Sequence, residues 1–351
     1  MIQSFKNRFE PHLRDYVRTK IRESQALIRD DFLKEQIESL EDLVMAGGKR
    51  VRPYLIDLMY RSAGGTQQCP YGPLIGMELF HVFCLIHDDV MDQGTSRHTV
   101  PTFHIQTAQA LKAQQRPGDI HRVSESQAIL IGDLVHSWAH SCFLQVETED
   151  MAQVYEVNEL VSQMVSEVIL GQMIDVDSTT LDVASKDMIE RKMNLKTARY
   201  TFVGPMKIGR ALATQSKALD QFCEQFGTSL GLAFQIQDDL LDLVTPSTES
   251  TKSVLSDLAQ RQHTLFTYYI FNHGTAQEIA TLRRYFGQPC TDGEEAHIQT
   301  LFKNSGAIEY GLTRIRELLA QAQSALNEAP LEETYREQWQ ELLNYVSERK
   351  H

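Results

Sequence analysis

The stretch His87–Asp92, HDDVMD, holds three carboxylates and no lysine or arginine, and it follows the apolar run LFHVFCLI. If this stretch is helical, Asp88 and Asp92 are four residues apart on one face, where like charges repel. The pattern recurs in FQIQDDLLD, whose acidic residues are Asp238, Asp239 and Asp242. Carboxylate oxygens suit Mg²⁺, and substrate phosphates often complete its coordination. Two DDxxD clusters that could face each other therefore predict a Mg²⁺ site for a phosphorylated substrate.

Basic residues that could bind phosphate accompany these carboxylates. The segment Gly47–Pro53, GGKRVRP, offers Lys49, Arg50 and Arg52 beside two glycines that let the backbone approach a ligand closely. Arginine can bind phosphate through two parallel hydrogen bonds, and lysine supplies a point charge. Arg97 follows the first acidic cluster in TSRHTVPT. Taken alone, the basic segment could equally be a helix end with solvated charges.

The composition excludes several classes of partner and location. The chain has 351 residues, 42% of them hydrophobic, and its 34 lysines and arginines against 47 acidic residues give a net charge of -13. Such an acidic chain is a poor ligand for nucleic acid or an anionic membrane surface. Its five scattered cysteines form no CxxC pair, which favours free thiols in a reducing compartment. With no membrane-length apolar run and an N-terminus unlike a signal peptide, we expect a cytoplasmic protein.

Helical periodicity dominates the chain. Apolar residues recur every three or four positions in 312–326, before Pro330, and again in 32–44, before Gly47 and Gly48. Polar, turn-rich stretches at 105–125, 244–257 and 287–294 are predicted to be loops, and neither strand alternation nor internal repeats are evident. The sequence therefore predicts one all-α domain, a single large helical bundle over residues 1–351.

The order of the motifs resembles that of a known family. GGKRVRP, DDVMD with Arg97 and a PT, GDL, GQMID, KTARYTF and FQIQDD appear between about Gly47 and residue 310 in the order of the trans-isoprenyl diphosphate synthases, or polyprenyl synthetases. The chain resembles bacterial short-chain farnesyl and geranylgeranyl diphosphate synthases. The resemblance implies a helical bundle of the isoprenoid synthase type with a central active-site cavity. It also implies a prenyltransferase that ionises an allylic diphosphate and couples the cation to isopentenyl diphosphate.

The resemblance implies a role for each matching residue. The metal ligands would be Asp88, Asp92, Asp238 and Asp242, with Asp175 and Gln172 supporting them, around three Mg²⁺ ions that Mn²⁺ could replace. The allylic diphosphate would contact Arg97, Lys196 and Lys252, while His98 occupies the position of a second family arginine and could still donate to phosphate. Isopentenyl diphosphate would contact Lys49, Arg52 and His81. The cation would lie near Thr197 and Gln235. The resemblance also implies a homodimer.

Simpler readings stand beside these roles. His81 could be a core histidine, Lys196 and Thr197 a surface pair, and Gln235 a buried polar contact. The sequence also departs from the family at His98 and at Gln262, which replaces a lysine; Arg261 is a candidate substitute. These departures leave open a regulatory subunit of a heteromeric synthase. A class I terpene cyclase or a structural bundle with incidental acids are further alternatives, although a cyclase would have no use for GGKRVRP.

Two aromatic residues on the helix before the first acidic cluster predict the product length. Phe83 precedes Asp88 by five residues and Phe80 by eight, which at ~1.5 Å per residue places them about 7–8 Å and 12 Å along the helix axis from that carboxylate. The resemblance implies that such side chains form the floor of the product tunnel. Without it, both would be read as ordinary core aromatics. We expect all-trans C15–C20 products, with geranylgeranyl favoured.

Overall fold

Helices form almost all of the regular structure in the computed structural model, which describes residues 1–46, 48–97, 100–245, 255–290 and 292–348. The α-helices in these residues are α1 (Ile2–Ala26), α2 (Asp31–Glu38), α3 (Leu40–Met45), α4 (Val51–Ser62), α5 (Tyr71–Met91), α6 (Phe103–Ala113), α7 (Ile120–Phe143), α8 (Met151–Ser178), α9 (Lys186–Met193), α10 (Gly204–Ala213), α11 (Asp220–Val244), α12 (Ser256–Ala259), α13 (Leu265–His273), α14 (Ala276–Tyr285), α15 (Asp292–Asn304), α16 (Ala307–Glu328) and α17 (Glu333–Ser347). A π-helix, Asn194–Val203, lies between α9 and α10, and β1 (Ser96–Arg97) pairs antiparallel with β2 (Val100–Pro101). The all-α fold predicted from the sequence is confirmed.

The chain divides into two compact units. The first comprises Met1–Leu58 and Thr66–Asn158, and the second comprises Met59–Gly65 and Glu159–His351. The single domain over residues 1–351 stays a prediction.

In the first unit, α5 packs along α7, and α6 packs on α7. Helix α5 is buried over most of its length, as its nearly continuous apolar sequence predicts. Helix α1 buries one stripe, whose members recur every four residues: Phe5, Phe9, Leu13, Val17 and Ile21. Pro11 lies within α1 without ending it. Packing against α7 and burial along most of its length hold α5 in place up to its last turn, which carries the first acidic cluster.

In the second unit, α11 is the central helix and packs against α16 and the π-helix. Helices α9 and α10 pack on the π-helix as well, and α13 packs against α16. A cluster of buried hydrophobic side chains here includes Ile236, Phe266, Phe302 and Leu318. These contacts fix α11 and the π-helix relative to each other, and both elements carry predicted site residues.

Two boundaries predicted from the sequence are wrong. The single helix expected at 32–44 is divided into α2 and α3 at Ser39, whose hydroxyl donates to the Gln36 carbonyl oxygen (2.8 Å) and competes with helical hydrogen bonding. The loop expected at 105–125 is mostly helical, because α6 continues to Ala113 and Asp119 caps the start of α7 by accepting from the Arg122 N–H. The connection expected at 287–294 is confirmed in part, between α14 and α15.

Within the described ranges, none of the helices combines the length and apolar character needed to cross a bilayer.

Trp339 provides a test of the packing in the second unit. Its ring is fully buried, meets Phe222 and Phe226 edge-on at centroid distances of 5.3 and 5.5 Å, and donates from Nε1 to Ser62 Oγ (3.0 Å). We expect Trp339→Ala to lower the free energy of unfolding by about 3–5 kcal/mol, because it leaves a cavity. Urea unfolding followed by circular dichroism measures this loss.

The matched control is Glu341→Ala, which removes an exposed side chain from the same helix. We expect that change to stay within about 0.5 kcal/mol of the parent protein. A Trp339→Ala variant as stable as the control would contradict the packing described here.

Candidate active site

The first acidic cluster lies at the carboxyl end of α5. Asp88 and Asp89 are in its last turn, and Asp92 is the residue at which the helix ends. The carboxyl end of a helix carries the negative end of its dipole, so three carboxylates there repel one another and the dipole unless a cation binds. Asp88 and Asp92 are half-buried, whereas Asp89 is buried. The two half-buried carboxylates are the members of this cluster that a metal ion can approach.

Asp89 instead holds Arg97. Arg97 Nη2 lies 2.7 Å from Asp89 Oδ1, and Arg97 Nε lies 3.1 Å from Oδ1 and 3.2 Å from Oδ2. Burial raises the pKa of Asp89, and the guanidinium opposes that rise. The Gly94 N–H also donates to the Asp89 carbonyl oxygen (2.9 Å). This bidentate pair keeps Arg97 beside the acidic cluster, where the sequence predicts an anion-binding role for it.

Arg50, the middle cation of the basic segment, is structural. It is buried, with Nη1 donating to Glu78 Oε1 (2.5 Å), Nε to Glu10 Oε1 (3.1 Å) and Nη2 to the Val44 carbonyl oxygen (3.0 Å). Its φ of 53° lies in the left-handed region that non-glycine residues seldom adopt. The carboxylates on α1 and α5 thus hold the turn in a strained conformation, and Arg50 is committed to that structural task.

The neighbouring cations of the basic segment are more accessible. Lys49 is exposed, and Arg52 is half-buried in the first turn of α4. His81, the third residue predicted to bind isopentenyl diphosphate, is half-buried on α5. All three lie in the first unit. Their roles in binding remain predictions.

The two phenylalanines of the predicted tunnel floor lie in a cluster of rings. Phe80 and Phe83 have centroids 5.6 Å apart, and Phe83 packs against His87 at 4.6 Å. His136 on α7 completes the cluster, at 4.7 Å from Phe83 and 6.0 Å from Phe80. Burial lowers the pKa of His136, which favours the neutral imidazole among these rings. Phe80 is fully buried and Phe83 only half-buried, so Phe83 is the ring more accessible to a ligand.

The second acidic cluster repeats this arrangement near the carboxyl end of α11. Asp238 and Asp242 are half-buried, and Asp239 between them is buried. Desolvation by burial, reinforced by the two neighbouring carboxylates, raises the pKa of Asp239 from 3.8 to about 7, against the opposing effects of Gln235 and Lys192. In both clusters, therefore, the outer two carboxylates are the more accessible and the second one is buried against another polar group.

A chain of hydrogen bonds connects the second cluster to the π-helix. Thr197 Oγ1 donates to Gln235 Oε1 (2.7 Å), and Gln235 Nε2 donates to Asp239 Oδ1 (2.7 Å). Helices of the π type are rare and occur frequently at functional sites. Here the π-helix is packed closely by Gly231, where an added Cβ would lie only 2.5 Å from Ala198 Cα. The structure thereby brings together Thr197 and Gln235, which the sequence predicts near the developing cation.

Asp242 contacts the start of α12. Its Oδ1 accepts from the backbone N–H and the hydroxyl of Ser256 (3.1 and 2.7 Å), and its Oδ2 accepts from the Asp257 N–H (3.1 Å). Burial and the neighbouring carboxylates Asp242 and Asp239 raise the pKa of Asp257. Asp242 thus fixes the segment that follows the second cluster, and its predicted role as a metal ligand remains to be tested.

Asp175 on α8 lies between two lysines. Lys192 Nζ is 2.9 Å from Asp175 Oδ1, and Lys196 Nζ is 2.5 Å from Oδ2. Burial would raise the pKa of Asp175, but the two ammonium groups outweigh it and the pKa is lowered. The carboxylate is therefore ionised and paired, and it holds Lys196 in place. Its predicted role as a metal ligand stays a prediction.

Two of the predicted site residues, His98 and Lys252, lie outside the described residues, as does most of the loop predicted at 244–257. Gln172 is half-buried on α8. Arg261, considered above as a substitute for a family lysine, donates to the carbonyl oxygens of Thr179 (2.8 Å) and Leu181 (2.9 Å). Those contacts give Arg261 a structural task.

Sequence reasoning did not single out Lys192 or Asp257. Lys192 had a detectable signal, because it lies next to Met193 and three residues after Ile189, on the buried face of α9. A lysine on such a face requires acidic or carbonyl partners. Asp257 had no comparable signal, because only the tertiary structure brings it next to Asp242 and Asp239.

The donor set suits Mg²⁺ completed by a ligand. In the described parts of the chain, no three carboxylate, histidine or cysteine side chains converge closely enough to hold a metal by themselves. Mg²⁺ commonly binds through one or two carboxylates together with waters and substrate phosphates. The accessible hard oxygens at the end of each acidic helix fit that mode.

Comparison with known proteins identifies the family. The family model described as Polyprenyl synthetase matches residues 34–304, most of the chain. The chain belongs to the polyprenyl synthetase family. Consistent with this, the curated relatives of this polyprenyl synthetase are prenyl diphosphate synthases, and the protein is a prenyltransferase.

Relatives of this polyprenyl synthetase differ in the product that their names state. A geranylgeranyl diphosphate synthase of Methanosarcina mazei is 28% identical over 76% of this chain and 76% of its own length. A geranylfarnesyl diphosphate synthase of Aeropyrum pernix is 28% identical over 88% and 92%. A farnesyl diphosphate synthase of Haemophilus influenzae is 30% identical over 63% and 71%. The names agree on the class of product and differ in its length.

Solved structures support the fold. A geranylgeranyl pyrophosphate synthase from Corynebacterium glutamicum, crystallised with isoprenyl diphosphate and magnesium, superposes with a TM-score of 0.90. It is 24% identical to this polyprenyl synthetase, and the match covers 97% of this chain and 99% of that one. The similarity shows that the two chains share the all-α fold.

The raised pKa of Asp239 predicts a pH dependence of stability. Because the folded-state pKa of about 7 exceeds the ordinary 3.8, its contribution to stability is present in acid and is lost as the pH rises through 7. In metal-free buffer, we expect Asp239→Asn to retain the Gln235 contact. The free energy of unfolding of the variant relative to the parent protein should be higher at about pH 8 than at about pH 5.5, by on the order of 2 kcal/mol. Thermal unfolding at the two pH values in EDTA measures this difference.

Asp187→Asn is the matched control, because it makes the same change at an exposed position in the same unit. It should leave the pH dependence as in the parent protein. An Asp239→Asn variant with an unaltered pH dependence would show that this carboxyl does not titrate in the proposed range.

Proposed function

We propose that the protein catalyses the Mg²⁺-dependent, head-to-tail condensation of isopentenyl diphosphate with allylic diphosphates. The product is a short-chain, all-trans prenyl diphosphate of C15–C20 length, with geranylgeranyl favoured, and pyrophosphate is released. The observation that carries the proposal is the pair of DDxxD clusters, each at the carboxyl end of a helix in a chain of the polyprenyl synthetase family. Relatives named as synthases of this class support it.

The chemistry breaks a C–O bond and a C–H bond and forms one C–C bond. The C–O bond of the allylic diphosphate breaks and leaves an allyl cation and pyrophosphate. The double bond of isopentenyl diphosphate then attacks the cation, and loss of a proton restores an alkene. Both charged species need stabilisation in a site that excludes water, which is the task of preorganised charges and dipoles.

We assign the carboxylates to the metal and the nearby cations to the diphosphates. Asp88 and Asp92, together with Asp238 and Asp242, would hold Mg²⁺, with Asp175 as a further candidate. When bound, the metal neutralises charge on the diphosphate leaving group. Support for these assignments comes from the accessibility of the outer carboxylates.

Arg97 and Lys196 would hold the allylic diphosphate, with His98 and Lys252 proposed from the family resemblance alone. Support for the first two comes from the carboxylates that orient them, Asp89 and Asp175. Thr197 and Gln235 would direct oxygen dipoles at the cation, and their mutual hydrogen bond supports an ordered pair. In the first unit, Lys49, Arg52 and His81 would bind isopentenyl diphosphate.

The assembly state and location are further proposals. A homodimer is proposed from the family resemblance. The cytoplasmic location remains a prediction from the sequence.

The first test is a product assay. The purified protein is incubated with isopentenyl diphosphate and, separately, with dimethylallyl, geranyl or farnesyl diphosphate, in Mg²⁺, Mn²⁺ or EDTA, and dephosphorylated products are identified by mass. We expect a C15 or C20 alcohol that EDTA abolishes. Asp88→Asn and Asp238→Asn should each lower kcat/KM by roughly a hundredfold or more, because each removes a carboxylate proposed to hold the Mg²⁺ that neutralises the leaving group.

Asp187→Asn again serves as the matched control and should keep full activity. Cyclised products made without isopentenyl diphosphate would indicate a terpene cyclase. Diphosphate binding without elongation would overturn the proposal and favour a regulatory subunit that requires a partner.

The length of the product tests whether Phe83 and the rings around it limit chain elongation. We expect Phe83→Ala to lengthen the product by one or more isoprene units, because it removes the more accessible of the two rings next to His136. The mass distribution of the alcohols measures the effect. Tyr71→Ala is the control, since it removes a ring from the start of the same helix, where Tyr71 stacks on His12. An unchanged product distribution in Phe83→Ala would contradict the assignment of Phe83 to the tunnel floor.

A further inference from the structure

Lys192 is a buried lysine that connects three parts of the second unit. Only 9% of it is exposed, and its Nζ lies 2.9 Å from Asp175 Oδ1 on α8. The same ammonium donates to Gln262 Oε1 (3.2 Å) and to the His263 carbonyl oxygen (3.0 Å), which follow α12. A lysine ammonium has three donors, and these three contacts satisfy all of them.

Burying the ammonium group of Lys192 is costly in free energy. Transferring an ammonium group into a protein interior is strongly unfavourable unless charged and polar partners surround it. The partners of Lys192 include a buried carboxylate, and its charge also acts on Asp239 and Asp257. The position therefore selects a positive charge and not merely a side chain of suitable size.

The positive charge next to Gln262 does not come from the 257–263 segment itself. Gln262 is buried and accepts a hydrogen bond through its amide oxygen. Arg261 donates to the carbonyl oxygens of Thr179 and Leu181, and its guanidinium lies over the Phe286 ring at 5.0 Å. The ammonium next to Gln262 comes from another helix, α9.

Asp175 is shared between two lysines, and this sharing links Lys192 to the proposed reaction. Its Oδ1 pairs with Lys192 and its Oδ2 with Lys196. If Lys192 lost its charge, Asp175 would pair with Lys196 alone and would compete more strongly with an incoming anion for that ammonium group. The Gln262 and His263 oxygens would at the same time lose their shared donor.

We propose that Lys192 is a positioning residue: it holds Asp175 and the Gln262–His263 segment together and supplies the positive charge beside Gln262. This assignment rests on the proposed function in one respect, namely that Lys196 binds the diphosphate of the allylic substrate. Lys192 itself acts through Asp175 and the segment and does not need to touch the substrate.

The experiment moves the charge from one position to the other. Lys192→Met removes the ammonium group but retains an unbranched side chain. The double variant K192M/Q262K returns an ammonium from position 262, whose side chain ends 3.2 Å from Lys192 Nζ in the parent protein. Lys186→Met is the matched control, because it changes another lysine on α9 that is 43% exposed.

Two measurements are made on each full-length variant. Hydrogen exchange followed by mass spectrometry reports the protection of amides in residues 257–264, in metal-free and substrate-free protein. Steady-state kinetics gives KM for the allylic diphosphate and kcat separately. Loss of a charge-assisted contact should raise exchange rates and KM by roughly ten- to hundredfold in Lys192→Met, with a smaller change in kcat. The double variant should recover to within about threefold of the parent protein, and Lys186→Met should match the parent.

The proposal is overturned if Lys192→Met matches Lys186→Met in both measurements. It is also overturned if the double variant recovers neither the protection nor KM. If Lys192→Met fails to fold, a folded and active double variant supports the proposal, and an unfolded one overturns it. A parent protein without elongation activity would count against the proposed function, while the exchange measurement would still decide whether Lys192 positions the segment.

Discussion

The electrostatic cost of placing carboxylates at the carboxyl ends of apolar helices governs this protein. Helix α5 ends in Asp88, Asp89 and Asp92, where the helix dipole is negative and like charges are adjacent. Helix α11 repeats the arrangement within its own unit. A cation at each cluster would offset this cost. Basic residues do lie close to the second aspartate of each cluster: Arg97 contacts Asp89 in the first unit, and the charge of Lys192 acts on Asp239 in the second.

Each cluster divides its three carboxylates between two tasks. The second aspartate of each motif is buried and bonded to a neighbouring site residue: Asp89 to Arg97 and Asp239 to Gln235. The outer aspartates are more accessible. A buried carboxylate that orients a polar partner reduces the reorganisation needed when a charged ligand arrives, which is the basis of electrostatic preorganisation. The same sequence motif therefore contains both the proposed metal donors and the buried carboxylates that orient neighbouring polar residues.

Outside the two acidic clusters, buried charge pairs also hold predicted site residues in place. Arg50 fixes the turn that presents Lys49 and Arg52, although the motif alone offers three equivalent cations. Asp175 holds Lys196 in place, and the role of Asp175 as a metal ligand stays a prediction. Buried pairs of this kind contribute modest net stability but define one arrangement, because breaking either partner leaves an uncompensated charge.

The sequence by itself determined the helical class, the buried character of α5, the paired acidic clusters and the family, since all of these are expressed in local periodicity and in motif order along the chain. It did not determine the division of the 32–44 segment at Ser39, where a hydroxyl competes with the helix for a carbonyl oxygen. Only the tertiary structure decided which charges are structural. Whether Arg50, Asp175 or Lys192 is available to a ligand depends on partners 28, 21 and 70 residues away, and such pairings leave no regular spacing in the sequence.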